Sequence, residues 1–160
     1  MYRFTVSKIL ILMTALAYGQ TEGHDHDLSL DDHKNHLGIA IGPVYVIGEK
    51  KFVPGVHIHY SYLFEINNTH LGTGLGFESI IDEHNHYTIS INISYLPIHN
   101  LTLTVAPGVL FSKTSSKFAT HFEASYEFIF NKFHIGPVAE YAYAMHDCHF
   151  MTGLHISYGF

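Results

Sequence analysis

The sequence predicts an all-β fold, an eight-stranded antiparallel up-and-down transmembrane β-barrel. Three observations carry this expectation. First, apolar and polar residues alternate almost without break over 37–160, with the period at which strand side chains point to opposite faces. Second, short polar stretches cut that run into eight consecutive strands with no helical period among them. Such a hairpin meander can close on itself. Third, the polar parity is Gly, Ala, Ser, Thr, His and a few Glu, not the Lys, Glu and Asp of a wetted surface. Small residues of this kind suit a narrow lumen, which turns the apolar parity to lipid.

The rule is plainest in 56–66. Val56, Ile58, Tyr60, Tyr62, Phe64 and Ile66 share one parity, and His57, His59, Ser61, Leu63 and Glu65 the other. Strand one, 37–47, sets Leu37, Ile39, Ile41, Tyr45 and Ile47 against Gly38, Ala40, Gly42 and Val44. Residues 48–51 turn the chain into strand two, which runs to Ile66. Asn67 and Asn68 turn it again, because asparagine tolerates left-handed backbone. Strand three, 70–81, sets Leu71, Leu75, Phe77 and Ile81 against Gly72, Gly74, Gly76 and Glu78. After a charged turn at 82–85, strand four, 86–97, alternates perfectly: Tyr87, Ile89, Ile91, Ile93 and Tyr95 against Thr88, Ser90, Asn92 and Ser94.

Strand five, 101–112, sets Leu101, Leu103, Val105, Val109 and Phe111 against Thr102, Thr104, Ala106 and Gly108. Strand six, 117–130, sets Phe118, Phe122, Tyr126, Phe128 and Phe130 against His121, Glu123, Ser125 and Glu127. Asn131 and Lys132 make a tight turn. Strand seven, 133–145, sets Phe133, Ile135, Tyr141, Tyr143 and Met145 against His134, Gly136, Glu140 and Ala142. Strand eight, 149–160, sets Phe150, Leu154, Ile156, Tyr158 and Phe160 against Met151, Gly153, His155 and Ser157. Aromatic residues gather towards strand ends, as in the girdles of membrane barrels.

The N-terminus reads as a secretory signal over 1–19. Arg3 and Lys8 precede a short apolar run at 9–17, and Ala17-Tyr18-Gly19 is a small-x-small cleavage site. The run is too short for a transmembrane helix. Cleavage would leave six basic residues against 14 acidic ones, a net charge of −8 with His neutral. A chain this acidic is not expected to bind nucleic acid. The single Cys148 allows no internal disulfide. Residues 20–36 are polar and rich in His and Asp, a composition expected to be disordered and periplasmic. His24, His26, His33 and His36 make this tail either a loose divalent-metal tether or a solvated acidic linker.

The signal, the eight amphipathic strands and the ending Ile156-Ser157-Tyr158-Gly159-Phe160 resemble the small eight-stranded outer-membrane β-barrels of Gram-negative bacteria. The terminal aromatic resembles the signal read by the outer-membrane assembly machinery. The resemblance covers the chain from Leu37 onward and implies a monomeric barrel in the cell outer membrane, with outer-membrane lipid as its surroundings. The family includes structural proteins, adhesins and a few lipid-modifying enzymes. Its members often carry long outer loops, whereas the loops here are short.

Chemistry is expected in the lumen. His57, His59, Glu78, Asn92, His121, Glu123, Glu140 and His155 come from six strands and share a similar expected depth. Imidazole with carboxylate suits Zn²⁺, and imidazole also suits Cu²⁺ and Ni²⁺. The inward parity offers almost no Lys or Arg to neutralise its glutamates, so a metal ion or protonated His would have to do so. The alternative is a hydrogen-bonded polar plug with no cargo. The outer tips offer Asp82, Glu83, His84 and His86 on one loop and His146, Asp147, Cys148 and His149 on another, a candidate soft-metal ligand set. The two loops are not neighbours in a meander, so solvated tips that never meet are the favoured expectation there. His59 with Ser61, and His155 with Ser157, match the His-x-Ser pair of lipid A deacylases of this architecture. Both pairs point inward, away from lipid, so the chain is not expected to be an enzyme and no catalytic residue is assigned. The favoured expectation is binding or sensing of a divalent transition metal. A structural or adhesive barrel is the alternative, and a lipid-modifying enzyme the third.

Overall fold

The computed structural model describes residues 33–82, 86–113, 115–145 and 148–160. The expected signal segment and most of the tail, including His24 and His26, lie outside the described residues. Nine strands form: β1 (Asn35–Val46), β2 (Lys51–Ile66), β3 (Thr69–Ile80), β4 (His86–Ile98), β5 (Leu101–Phe111), β6 (Ser116–Tyr126), β7 (Phe128–Phe130), β8 (Phe133–Ala144) and β9 (His149–Gly159). Successive strands pair antiparallel, and β1–β9 and β6–β8 pairing closes the sheet. The ring therefore has eight staves, and β7 is a short ninth strand beyond it, paired with β8.

Paired partners lead from Asn35 through Tyr62, Thr73, Ile93, Val105, Phe122, Tyr141 and Phe150 back to β1 at Tyr45, ten residues further along. That stagger tilts the staves and fixes an interior that side chains can just fill. One end carries the N-terminal entry to β1, the C-terminus and the turns at Asn67–Asn68 and Asn131. Asn67, Asn68 and Asn131 have φ of 50°, 59° and 58°, the left-handed backbone that a tight hairpin requires.

The sequence predicts one continuous sixth strand over 117–130; the structure breaks it at Glu127. Both pieces keep one register on β8, with Ser125 opposite Val138 and Phe128 opposite Ile135. Gly136 and Pro137 sit opposite the break. Pro137 has no N–H for the ladder, and a Cβ at Gly136 would collide with the Tyr126 carbonyl. Asn100 takes over instead: its carbonyl accepts the Glu127 N–H (2.8 Å) and its side-chain amide donates to the Glu127 carbonyl (2.6 Å).

The outward parity is exposed Ile, Leu, Val, Phe and Tyr; Leu75 and Ile91, paired across β3–β4, are 61% and 56% exposed. An apolar surface that encircles the barrel far exceeds the patch a monomer in water tolerates, whereas lipid requires it. Aromatic pairs mark both rims: Tyr45–Phe52 and Phe77–Tyr87 at the far end, Phe133–Tyr158 and Tyr126–Phe128 at the termini end.

The lumen is layered. Towards the far end it is largely apolar, filled by Val44, Val46, Ile80 and Met151, with Leu110, Ala119 and Ala144 in a second group. Buried His149 and Thr88 lie there too, opposite Val46 and Leu110. Towards the termini end it holds a cavity of about 80 Å³, with Leu63, Leu96, Ile98 and Ile129 among its lining. That volume admits several water molecules. The His and Glu side chains run from the cavity wall, which includes His57, His59, Glu123 and His155, up to His149 opposite Val46.

Candidate metal centre

Several large lumenal rings face small partners. His59 lies opposite Gly38 and Gly76, His121 opposite Ala106 and Ala142, and His155 opposite Ala40 and Gly136, while His57 lies between Ala40 and Glu78. Close packing leaves room for an imidazole where a neighbouring stave is bare. The fit is tight: a Cβ at Gly38 would come within 2.5 Å of His59 Nε2, and one at Gly76 within 2.9 Å of His57 Nε2.

The deeper group centres on two glutamates. Glu78 accepts hydrogen bonds from His149 Nε2 (2.9 Å) and Thr88 Oγ1 (3.2 Å). Glu140 accepts from His121 Nδ1 at Oε1 (2.7 Å) and from His57 Nδ1 at Oε2 (3.1 Å). His57 Nδ1 also lies 3.3 Å from Glu123 Oε2, and His121 Nε2 lies 3.7 Å from Glu78 Oε2. Glu123 and Glu140 face each other directly across β6–β8, a placement in which like charges repel. No Arg follows Arg3, and from Lys34 onward the lysines sit in turns or near strand ends. The positive charge these buried carboxylates require must come from imidazolium or a bound cation.

Ligand atoms of Glu78, His121, Glu140 and His149 all lie within 4.8 Å of one another, and so do those of His57, Glu123 and Glu140. A tetrahedral Zn²⁺ with bonds near 2.1 Å sets its ligands about 3.4 Å apart, so side-chain shifts of about 1 Å would close either group on an ion. His121 Nε2 and Glu123 Oε2 are buried without a hydrogen bond. Two imidazoles and two carboxylates around a small buried volume can therefore bind a divalent transition metal or hold a shared proton.

The shallower group surrounds Glu127. His134 Nδ1 and Ser125 Oγ donate to it at 3.0 Å and 3.2 Å, and Ser157 Oγ at 3.5 Å. His155 Nδ1 lies 3.2 Å from Glu127 without bonding geometry. The His155 and His59 rings stack 5.0 Å apart, with their Nε2 atoms 3.3 Å apart. His36 Nε2 donates to the His33 carbonyl (2.8 Å), and its ring meets His134 edge-on at 5.0 Å.

The expected belt thus splits. Glu78, His121 and Glu140 converge, with His57 and Glu123 adjoining. His59 and His155 belong to the shallower group. His36 faces the lumen within β1, and His33 contributes its backbone carbonyl to it. Asn92 accepts from Ser90 Oγ (3.1 Å) beside the cavity. His149 is the lumenal residue that sequence reasoning missed. It was expected at an outer tip beside Cys148; it is buried, because it opens β9 on the same parity as Met151 and His155. That parity was the available signal. Cys148 Sγ turns instead to the Ala144 carbonyl (3.6 Å). Asp82 and His86 approach to 3.2 Å, while Glu83, His84, His146 and Asp147 lie outside the described residues. No hydrogen bond joins Ser61 to His59 or Ser157 to His155, and Ser157 bonds Glu127 directly.

No protein-family model matches the chain, and no curated protein matches it. Solved structures do. A structure reported under the de novo design of transmembrane β-barrels superposes with a TM-score of 0.54 at 14% identity, covering 81% of this chain and 98% of its own. The solution structure of the designed barrel TMB2.3 gives 0.52 at 12% identity, over 82% and 98%. Ail, the attachment invasion locus protein of Yersinia pestis, crystallised with the heparin analogue sucrose octasulfate, gives 0.52 at 20% identity, over 79% and 96%. At these identities the likeness concerns the fold: this chain has the architecture of a membrane-type eight-stranded barrel.

Proposed function

We propose that this protein is an outer-membrane barrel that binds or senses a divalent transition metal in its lumen, with Glu78, His121, Glu140 and His149 as ligands. One observation carries the reading: two imidazoles and two carboxylates, all buried, bring ligand atoms within 4.8 Å of one another in a lumen whose spans hold no arginine. Two carboxylates balance a divalent ion, and the donor set suits Zn²⁺, with Cu²⁺ and Ni²⁺ as further candidates. The tail histidines His24, His26 and His33 would gather ions loosely ahead of the lumen. The outward apolar band and the aromatic rims support placement in the outer membrane.

The test is calorimetric titration of the folded chain, without its signal segment, with Zn²⁺, Cu²⁺ and Ni²⁺. A variant carrying His121→Ala and His149→Ala should lose at least about tenfold in affinity, the scale seen when even outer partners of a ligand are removed. Unchanged affinity in a folded variant would remove the lumenal site.

A structural or adhesive barrel with a polar plug is the second reading. The hydrogen bonds already joining His149 to Glu78 and His121 to Glu140 favour it, as does the likeness to Ail. It is the reading left standing if titration finds no lumenal metal.

A further inference from the structure

We infer that the lumen holds two metal ions, bridged by Glu140. This rests on the lumenal metal reading and goes beyond it in number, asymmetry and access.

Glu140 belongs to both ligand groups, and its two oxygens point to different partners. Oε1 lies 2.7 Å from His121, on the side of Glu78 and His149. Oε2 lies 3.1 Å from His57, on the side of Glu123. A carboxylate engaged on both edges is the bridging ligand of two-metal sites, whose ions stand about 3.5–4 Å apart. Glu123 supplies the independent sign. It is placed directly across from Glu140, and its Oε2 is buried, aimed at His57 and without a hydrogen bond. A single ion held by Glu78, His121, Glu140 and His149 leaves that oxygen to the His57 ring 3.3 Å away, which already donates to Glu140. A second ion held by His57, Glu123 and Glu140 satisfies it.

The two positions differ. The first has four protein ligands, of which His121 alone borders the cavity, so it is the more enclosed of the two, nearer to a structural site. The second has three protein ligands, and both His57 and Glu123 line the 80 Å³ cavity. It keeps an open position for water, the arrangement of exchangeable sites. The cavity lies towards the termini end, and the far end is packed with apolar side chains around the buried His149 and Thr88. The second ion therefore exchanges with the compartment that holds the chain termini.

The test counts ions by metal analysis after Zn²⁺ loading of the folded chain without its signal segment. Three chains are compared: wild type, Glu123→Gln and Glu140→Ala. Differences between them cancel binding by the tail. The inference expects Glu123→Gln to hold one ion fewer than wild type, and Glu140→Ala, which still leaves Glu78, His121 and His149 at the first position, at least one fewer. Equal loading of Glu123→Gln and wild type, with Glu140→Ala lower by one, would overturn the pair but keep the four-ligand site. Equal loading of all three would overturn both. If Glu140→Ala does not fold, electron paramagnetic resonance of the Cu²⁺-loaded chain decides. A spin-coupled signal that Glu123→Gln converts to isolated ions supports the pair, and only isolated ions in wild type overturn it.

Discussion

His121 Nδ1 and Glu140 Oε1 stand 2.7 Å apart, the shortest contact between the glutamates and histidines of the deeper lumenal group. The pair spans adjacent staves, with β6 supplying the imidazole and β8 the carboxylate. Both residues are buried. Removing one partner of such a pair leaves the other in a dry interior, a loss of about 3–5 kcal/mol. In metal-free protein, Glu140→Leu should lower unfolding stability in detergent by about that amount. Replacing His121 and Glu140 together with apolar residues of similar volume should lose much less. Urea unfolding of the two variants checks the difference.

Gly76 makes space for His57. A Cβ there would approach His57 Nε2 to 2.9 Å, Asn92 Oδ1 to 2.9 Å and Ser90 Oγ to 2.5 Å, all movable side-chain ends. Gly76→Ala should therefore fold and close, yet displace His57 and weaken metal binding. Gly136→Ala meets the Tyr126 carbonyl instead, which is backbone. It should impair folding while leaving the metal affinity of any folded fraction unchanged. Heat-modifiable gel mobility reports barrel closure for both, and titration reports binding.

Ile91 faces lipid, and its neighbour Asn92 faces the lumen. A lysine at Ile91 should cost about 2–4 kcal/mol near the bilayer midplane. Serine at Asn92 should cost far less, because a lumenal position tolerates a smaller polar group. Unfolding in lipid vesicles separates them. Equal losses would mean that the two faces have been assigned wrongly.

Met151 is fully buried against Val44, Val46 and Ile80. Met151→Ala should cost about 2–5 kcal/mol. The same substitution thins the apolar packing towards the far end of the lumen. In planar bilayers the wild type should show no steady ion conductance, and Met151→Ala should raise leakage before it abolishes folding.

Most of the barrel was legible because its cause is local. The alternation through Tyr87–Tyr95 or Val56–Ile66 dictates a facing that every later strand repeats. The break at Glu127 was not legible, because it arises from Gly136 and Pro137 on the partner strand. Inward direction was legible for His57, His59, Glu78, His121, Glu123, Glu140 and His155, but depth was not. Depth depends on the ten-residue stagger, which no single strand encodes. That is why His59 and His155 part company with His57, and why His149, inward by parity, joins Glu78 from the first position of β9. The apolar packing towards the far end was overlooked because Val44 and Met151 lie on a parity read as polar.

X-ray absorption at the zinc edge of the Zn²⁺-loaded barrel tests the metal centre most directly. The account predicts nitrogen and oxygen neighbours at about 2.0–2.2 Å, with imidazole scattering that fades when both His121 and His149 are replaced by alanine. A spectrum of oxygen neighbours alone, or an imidazole signature untouched by those substitutions, would contradict it.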